Sequence, residues 1–380
     1  MIDSAAEAGR KMRALAATSA AGEGFLTVTL STSRLDGWRL SAPSFLRSEF
    51  NRITQERGIS KDQKRALQGD LDYVLDVVAY EVTSHTQGLA VFVDGKNYSE
   101  RIELPFRLLN RLVIEPYPYV RPIAHALSLL EPFMLVRVSR DESSLYLVDE
   151  WGVAQEDDLT GPWLRTSDRD TGEVSIKEYF AAARQETLVE QHYKEVGAAL
   201  AKLLEASHTR RVALCAQHDI ANAFRRTLPQ ALAAQVVAEI PFDAAATTGQ
   251  MVAAAREAIE EARNRELEVL AGRIQEGLGH GGHGVAGFDD VMGALERRQL
   301  QILLVDRNFR DPGWRCPACA WASLSEVDAC PFCGGKPQPT GDAVGELVRL
   351  AIVQNTQVEV GEAIPVLDRL GGVAGLLRYA

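Results

Sequence analysis

Four cysteines in the last quarter of the chain are spaced for joint chemistry: Cys316 with Cys319, and Cys330 with Cys333, in the text WRCPACAWASLSEVDACPFCGG. A two-residue spacer lets two thiolates converge on one ion while the intervening amides face the sulfurs. Four thiolates at this spacing suit one tetrahedral Zn²⁺. A redox dithiol is the rival reading. It is disfavoured because the pairs are two and matched, and neither opens a thioredoxin-like helix. Four cysteine ligands leave no open coordination position, so the expected zinc is structural and not catalytic. The fifth cysteine, Cys215 in the apolar run RVALCA, reads as a buried small hydrophobe. His280 and His283 lie in GLGHGGHGVAG. They suit either a metal or phosphate loop or a solvated interdomain hinge, and the hinge is preferred because the glycines match no phosphate-loop or dinucleotide fingerprint.

Basic residues form the second group with potential chemistry. Between Arg34 and Arg65 there are eight basic residues against four acidic ones, in a chain whose formal net charge is −11. The overall acidity excludes a protein that coats nucleic acid indiscriminately, but leaves room for local docking on phosphates. Arg34, Arg39, Arg47 and Arg52 are the candidate RNA contacts, with a solvated helix face as the plain alternative. Trp38, between two of them, suits either stacking on a base or burial in a core.

The elements that must position these groups fall into three blocks. A chain of 380 residues with 46% hydrophobic and 24% charged residues suits a globular protein of two or three domains. No signal peptide and no apolar run of membrane-spanning length is read in it. The sparing use of cysteine points to a reducing cytoplasm. Residues 1–130 read as an N-terminal α+β domain, with GFLTVTLST and GLAVFVDG as its clearest strands and two helices near 43–57 and 61–82. Residues 131–278 open with a hairpin (132–153), continue through a polar loop at 155–175, and alternate helix and strand thereafter. The run 277–287 holds six glycines and should break the chain. Residues 288–380 read as α-β-ribbon-α-β-α-β, a layered α/β domain with a four-cysteine zinc ribbon inserted at 313–338. The fold class is therefore α+β and α/β, multidomain.

The end of the chain carries a resemblance. LGGVAGLLRYA, preceded by DAVGELVRLAIVQN and TQVEVG, resembles the close of the third domain of archaeo-eukaryotic peptide-chain release factors and their Pelota relatives. FDDVMGALERRQLQILLVD resembles the opening of that domain, and archaeal members can carry a cysteine-rich insertion after its strand. The resemblance implies an RNase-H-like middle domain and an N-terminal domain that faces the decoding site. It further implies a tRNA-like factor of the ribosomal A site, acting in rescue or hibernation, with rRNA and a translational GTPase such as elongation factor Tu as partners. Two departures are plain. The family's Gly-Gly-Gln is absent from the loop, where Thr171, Gly172 and Glu173 are nearest to it. The family's Asn-Ile-Lys-Ser is absent from RLDGWRLSAPSFLRSEFNR. The expectation is a ribosome-binding factor without hydrolysis. The alternatives are an ester hydrolase using Glu173 in a non-standard loop, with Glu173 otherwise a solvated carboxylate, and a zinc-ribbon RNA adaptor outside translation.

Overall fold

The computed structural model describes residues 5–20, 24–32, 37–82, 86–95, 98–105, 107–128, 131–149, 152–160, 176–207, 209–243, 245–279, 281–362 and 364–379. The chain divides into two compact units, Met1–Leu129 with Glu266–Ala380 and Leu130–Arg265.

The first unit begins with α1 (Ala5–Ala17), β1 (Phe25–Ser31), α2 (Trp38–Glu56) and α3 (Lys61–Asp76), followed by a π-helical turn at Val77–Glu81. It continues with β2 (Gly88–Asp94), β3 (Tyr98–Leu104), β4 (Arg111–Glu115) and α4 (Arg121–Ser128). The strands form an antiparallel sheet in the order β3-β2-β1-β4. Alternate residues of β1 face opposite ways, and both faces are covered. Leu26, Val28 and Leu30 meet Leu46, Phe50, Leu71 and Val74 of α2 and α3. Phe25, with Ala90, Phe92 and Ile102, joins a second core that also holds α1, α4 and residues from the far end of the chain. That is why GFLTVTLST shows buried threonines: Thr27 and Thr29 face inward and hydrogen-bond, to the amide of Tyr119 and the carbonyl of Leu109. Helix α3 opens on a reciprocal capping box between Ser60 and Gln63. Helix α4 follows Val120 directly with Pro122 in its first turn, where a missing N–H costs nothing.

The second unit holds β5 (Phe133–Val138), β6 (Glu142–Asp149), β7 (Gly152–Thr160), α5 (Ile176–Ser207), β8 (Val212–Ala216), α6 (His218–Thr227), α7 (Gln230–Ala233), β9 (Val236–Pro241) and the first part of α8 (Thr248–Glu276). The sheet order is β7-β6-β5-β8-β9. β5 pairs antiparallel with β6 and β6 with β7, while β5, β8 and β9 run parallel. One face carries Met134, Val136 and Leu145 against Val196, Leu200 and Phe224 of α5 and α6. The other carries Leu135, Tyr146 and Cys215 against Met251, Ala255 and Ile259 of α8. Cys215 is fully buried, and burial raises its thiol. One expectation is corrected here. Residues 155–160, read as the start of a polar loop, extend the hairpin as the exposed edge strand β7. An edge strand open to water has no apolar alternation to betray it.

The division between units falls inside α8, before the glycine-rich run. From Glu266 onward the helix belongs to the first unit: Leu267, Ala271 and Ile274 pack on Leu304, Ile364, Leu367 and Ala374. The last block then runs β10 (Gly284–Ala286), α9 (Phe288–Glu296), β11 (Leu300–Asp306), β12 (Gly313–Arg315), β13 (Ala322–Ser323), β14 (Gln338–Thr340), α10 (Ala343–Val353), β15 (Gln357–Gly361), α11 (Pro365–Arg369) and β16 (Val373–Leu377). Its main sheet is ordered β10-β16-β11-β15, with β16 antiparallel to both neighbours and β11 parallel to β15. The Gly371-Gly372 pair takes φ values of 82° and 76°, which turn the chain from α11 into β16. The glycines at 277–287 are required for contact as well as freedom. A Cβ on Gly284 would lie 2.1 Å from the Ile274 carbonyl oxygen, and the Gly284 amide bonds the Gly277 carbonyl at 2.9 Å. Part of the expected hinge is thus built into a sheet, as β10.

Candidate metal centre and basic surfaces

The ribbon is a small three-stranded sheet in the order β13-β12-β14, inserted between β11 and α10. Its two knuckles repeat one backbone design. The Ala320 amide bonds the Cys316 carbonyl at 2.9 Å, and the Gly334 amide bonds the Cys330 carbonyl at 2.9 Å. Ala320 and Gly334 both take left-handed φ values, 66° and 72°. The Cys316 amide closes on the Trp321 carbonyl (2.7 Å) and the Cys330 amide on the Gly335 carbonyl (2.8 Å). Gly335 sits so close that a Cβ there would be 3.2 Å from the Cys316 sulfur and 3.4 Å from that of Cys333.

This design brings the four expected cysteines together. Their sulfurs all lie within 4.8 Å of one another. The Cys316 and Cys333 sulfurs are 3.3 Å apart and those of Cys319 and Cys330 are 3.5 Å apart, with none in a disulfide. A tetrahedral ion with metal–sulfur bonds near 2.3 Å holds its ligands roughly 3.8 Å apart, so four thiols at these separations fit such a group and could hold a metal ion. Burial raises the Cys316 thiol, but the amides of Cys319 and Ala318 and the neighbouring thiols outweigh it and bring it down to about 7. Burial pushes the Cys319 thiol up.

The ribbon is also anchored by apolar and ionic contacts. Cys316, Trp321 and Ala322 are buried in the same core as Val344 and Leu347 of α10. Arg315 and Arg349 stack on the Tyr117 ring, at 4.5 and 3.8 Å from its centroid. Between them lies Glu346, 3.1 Å from Arg349 and 3.8 Å from Arg315. Burial raises its carboxyl, opposed by the two arginines. Arg349 also donates to the Ala16 carbonyl of α1 at 2.9 Å, so the last helix of the ribbon's frame is tied to the first helix of the chain.

The candidate RNA contacts are not gathered in this way. Trp38 is buried among the residues between α2 and the first sheet, and Arg39 covers its ring at 4.8 Å. Arg39 also donates to the carbonyls of Ala79 and Val82, so it closes the π-helical turn onto α2. Arg52 lies between Glu49 and Glu56 one turn away on either side, at 2.8 and 2.7 Å. Arg47 is exposed on the same helix. Arg34, the loop residues Thr171, Gly172 and Glu173, and His280 lie outside the described residues, while His283 is exposed. A buried polar pair that the sequence did not reveal joins Ser143 of β6 to His192 of α5 at 3.0 Å, and burial lowers the histidine.

Comparison with known proteins adds a family. Residues 118–263 match the model of bacterial archaeo-eukaryotic release factor family 10. The match covers less than half of the chain and supports the superfamily resemblance read from the sequence. Among solved structures, the archaeal translation termination factor aRF1 aligns over 100% of this chain and 99% of its own, at 17% identity and a TM-score of 0.28. The archaeal Pelota in a model of ribosome-bound Pelota and ABCE1 aligns over 77% of each chain, at 13% identity and a TM-score of 0.41. Dom34 of S. cerevisiae, a termination-like factor in RNA quality control that interacts with Hbs1, aligns over 76% of this chain and 74% of its own, at 12% identity and a TM-score of 0.36. No curated protein matches the chain.

Proposed function

We propose that the chain is a ribosome-associated translation factor of the release-factor and Pelota type, which enters the A site of stalled or dormant ribosomes and does not hydrolyse peptidyl-tRNA. The observation that carries this reading is the family match over residues 118–263. The loss of Gly-Gly-Gln from the polar segment before α5 supports the second half of it, because a glycine pair supplies backbone freedom that Thr171-Gly172-Glu173 does not. In this reading the second unit is the RNase-H-like domain, and its strand order β7-β6-β5-β8-β9 suits that assignment. The four cysteines hold one zinc ion, which closes the ribbon and takes no part in chemistry. The partners are rRNA, met through local arginines such as Arg47, and a translational GTPase, with elongation factor Tu as the candidate. The site of action is the cytoplasm. Among the described residues no helix is long and apolar enough to cross a membrane.

The test is sedimentation of purified protein with vacant 70S ribosomes over a salt series, beside release of labelled peptide from stalled complexes. The reading expects co-sedimentation that weakens with salt and no release. Failure to sediment at low salt contradicts the ribosomal half, and release abolished by Glu173→Ala contradicts the non-hydrolytic half.

A further inference from the structure

A cavity of about 220 Å³ opens within the first unit, walled by the segment leading into β4 and by α4 on one side and the turn after β11 on the other. Five arginines line it (Arg107, Arg111, Arg121, Arg307 and Arg310), and no lining residue is acidic. Carboxylates outside the lining answer part of this charge: Glu362 pairs with Arg307 at 2.7 Å, and Asp342 is already fully engaged. It accepts from Arg121 at 3.0 Å, from Arg310 at 3.3 Å and from the Tyr119 hydroxyl at 2.6 Å, and it caps α10 through the Gly345 amide at 3.0 Å. Tyr119 spends its one proton on Asp342, so its oxygen is left to accept, from Arg111 at 3.1 Å and Arg310 at 3.0 Å. Both guanidiniums lie 5.8 Å from the centre of the Tyr119 ring.

Arg111 is the informative member. It is half-buried, and among the described residues no carboxylate lies within ion-pair distance of it. Burial lowers its affinity for the proton and Arg310 adds to that, opposed by Tyr119 and Asp342. A guanidinium carries five N–H donors in a flat fork, and Arg111 directs one of them at Tyr119. Two such forks converging on a concave surface match the oxygens of a phosphate. The rest of the wall is of a different character. Leu108, Leu109, Pro122 and Val360 line it, and Leu109 is 66% exposed at the rim. The cavity is several times the roughly 30 Å³ that one water occupies in the liquid, and smaller than the roughly 300–1,000 Å³ of a site that encloses a larger ligand. It suits one phosphate with the sugar or base attached to it.

We propose that this cavity binds a nucleoside phosphate unit, with the phosphate on Arg111 and Arg310 and the nucleoside against Leu108 and Leu109. The unit comes either as a free nucleotide or as one residue of a single-stranded RNA. The site stands independently of A-site binding, since it is defined by the first unit alone.

The test titrates the full-length protein, away from ribosomes, with adenosine monophosphate, with a fluorescent hexauridylate and with inorganic phosphate. Saturable binding of the first or second is expected, and the tighter of the two names the source. Arg111→Gln and Arg310→Gln should each weaken it about ten-fold or more, as expected for loss of a charged hydrogen bond. Arg265→Gln, at an exposed arginine away from the cavity, should leave it unchanged. If Arg111→Gln lowers the melting temperature, Leu109→Asp serves in its place, because a charge at the exposed rim opposes the nucleoside without disturbing the Tyr119 cluster. Binding of inorganic phosphate only, no saturable binding of either nucleotide probe, or binding within two-fold of normal in all three cavity variants overturns the proposal.

Discussion

The ribbon at 313–340 and the five-stranded sheet of the second unit solve the same problem by different means. The sheet hides two apolar faces, with Phe224 fully buried edge-on to Tyr193 (5.9 Å, 82°) and Ala255 fully buried on the other side. The ribbon has strands of two and three residues, too short to enclose a core of their own. It leans one edge on α10 and brings four sulfurs to one point. Stability in the sheet is spread over many side chains, while in the ribbon the proposed zinc site concentrates it in four thiols. The contrast predicts that the two regions fail separately, and by different perturbations.

The largest effect should come from the metal. Elemental analysis of freshly purified protein should find about one zinc per chain. A strong chelator, or Cys316→Ser, should free the amides of 313–340 to exchange hydrogen while those of β5, β8 and β9 keep their protection, since apparent zinc binding of about 10–16 kcal/mol would be lost from the ribbon alone. Protein that contains no metal, with the ribbon amides equally protected, would remove the contrast. Phe224→Ala is the reverse experiment. It should destabilise the sheet unit by about 3–5 kcal/mol in denaturant unfolding and leave zinc content untouched. Asp342→Ala should also cost the first unit about 3–5 kcal/mol, because it strands the buried Arg121 guanidinium. A loss under 1 kcal/mol would show that the arginines do not depend on that carboxylate.

A smaller effect should separate the units by pH. Burial lowers the folded-state pKa of His192 below the ~6.5 of an unfolded chain. Below that value the unfolded chain takes up a proton that the folded one refuses, so stability falls as pH drops from 7 toward 5. His192→Gln should flatten that slope in the second unit. An unchanged slope would place the titration elsewhere. The smallest effect is expected at Arg52, 51% exposed between two glutamates: Arg52→Ala should change stability by less than about 1 kcal/mol.

What could be read from the sequence followed the range over which each feature is specified. The cysteine knuckles are local, so their spacing alone picked out the four thiols that the fold brings together. The strands 25–31 and 88–94 and the order of elements after Phe288 were legible because apolar periodicity is also local. The partners of the basic residues are not legible in the same way. A count of charges along α2 does not show that Arg52 is flanked by Glu49 and Glu56, or that Arg39 is used on backbone carbonyls. The arginine cluster around Tyr119 was invisible, because it depends on Tyr119 meeting Asp342 across 223 positions of sequence. Nothing in EPYPYVRPI or DRNFRDPGW marks that meeting, although both carry the arginines and the prolines that keep them out of long helices.

The proposal that this chain works on the ribosome is tested most directly by a density map of the protein bound to vacant 70S particles. The account predicts the chain in the A site, with residues 161–175 reaching toward the peptidyl-transferase centre. Density for the chain at any other ribosomal surface, with an empty A site, would contradict it.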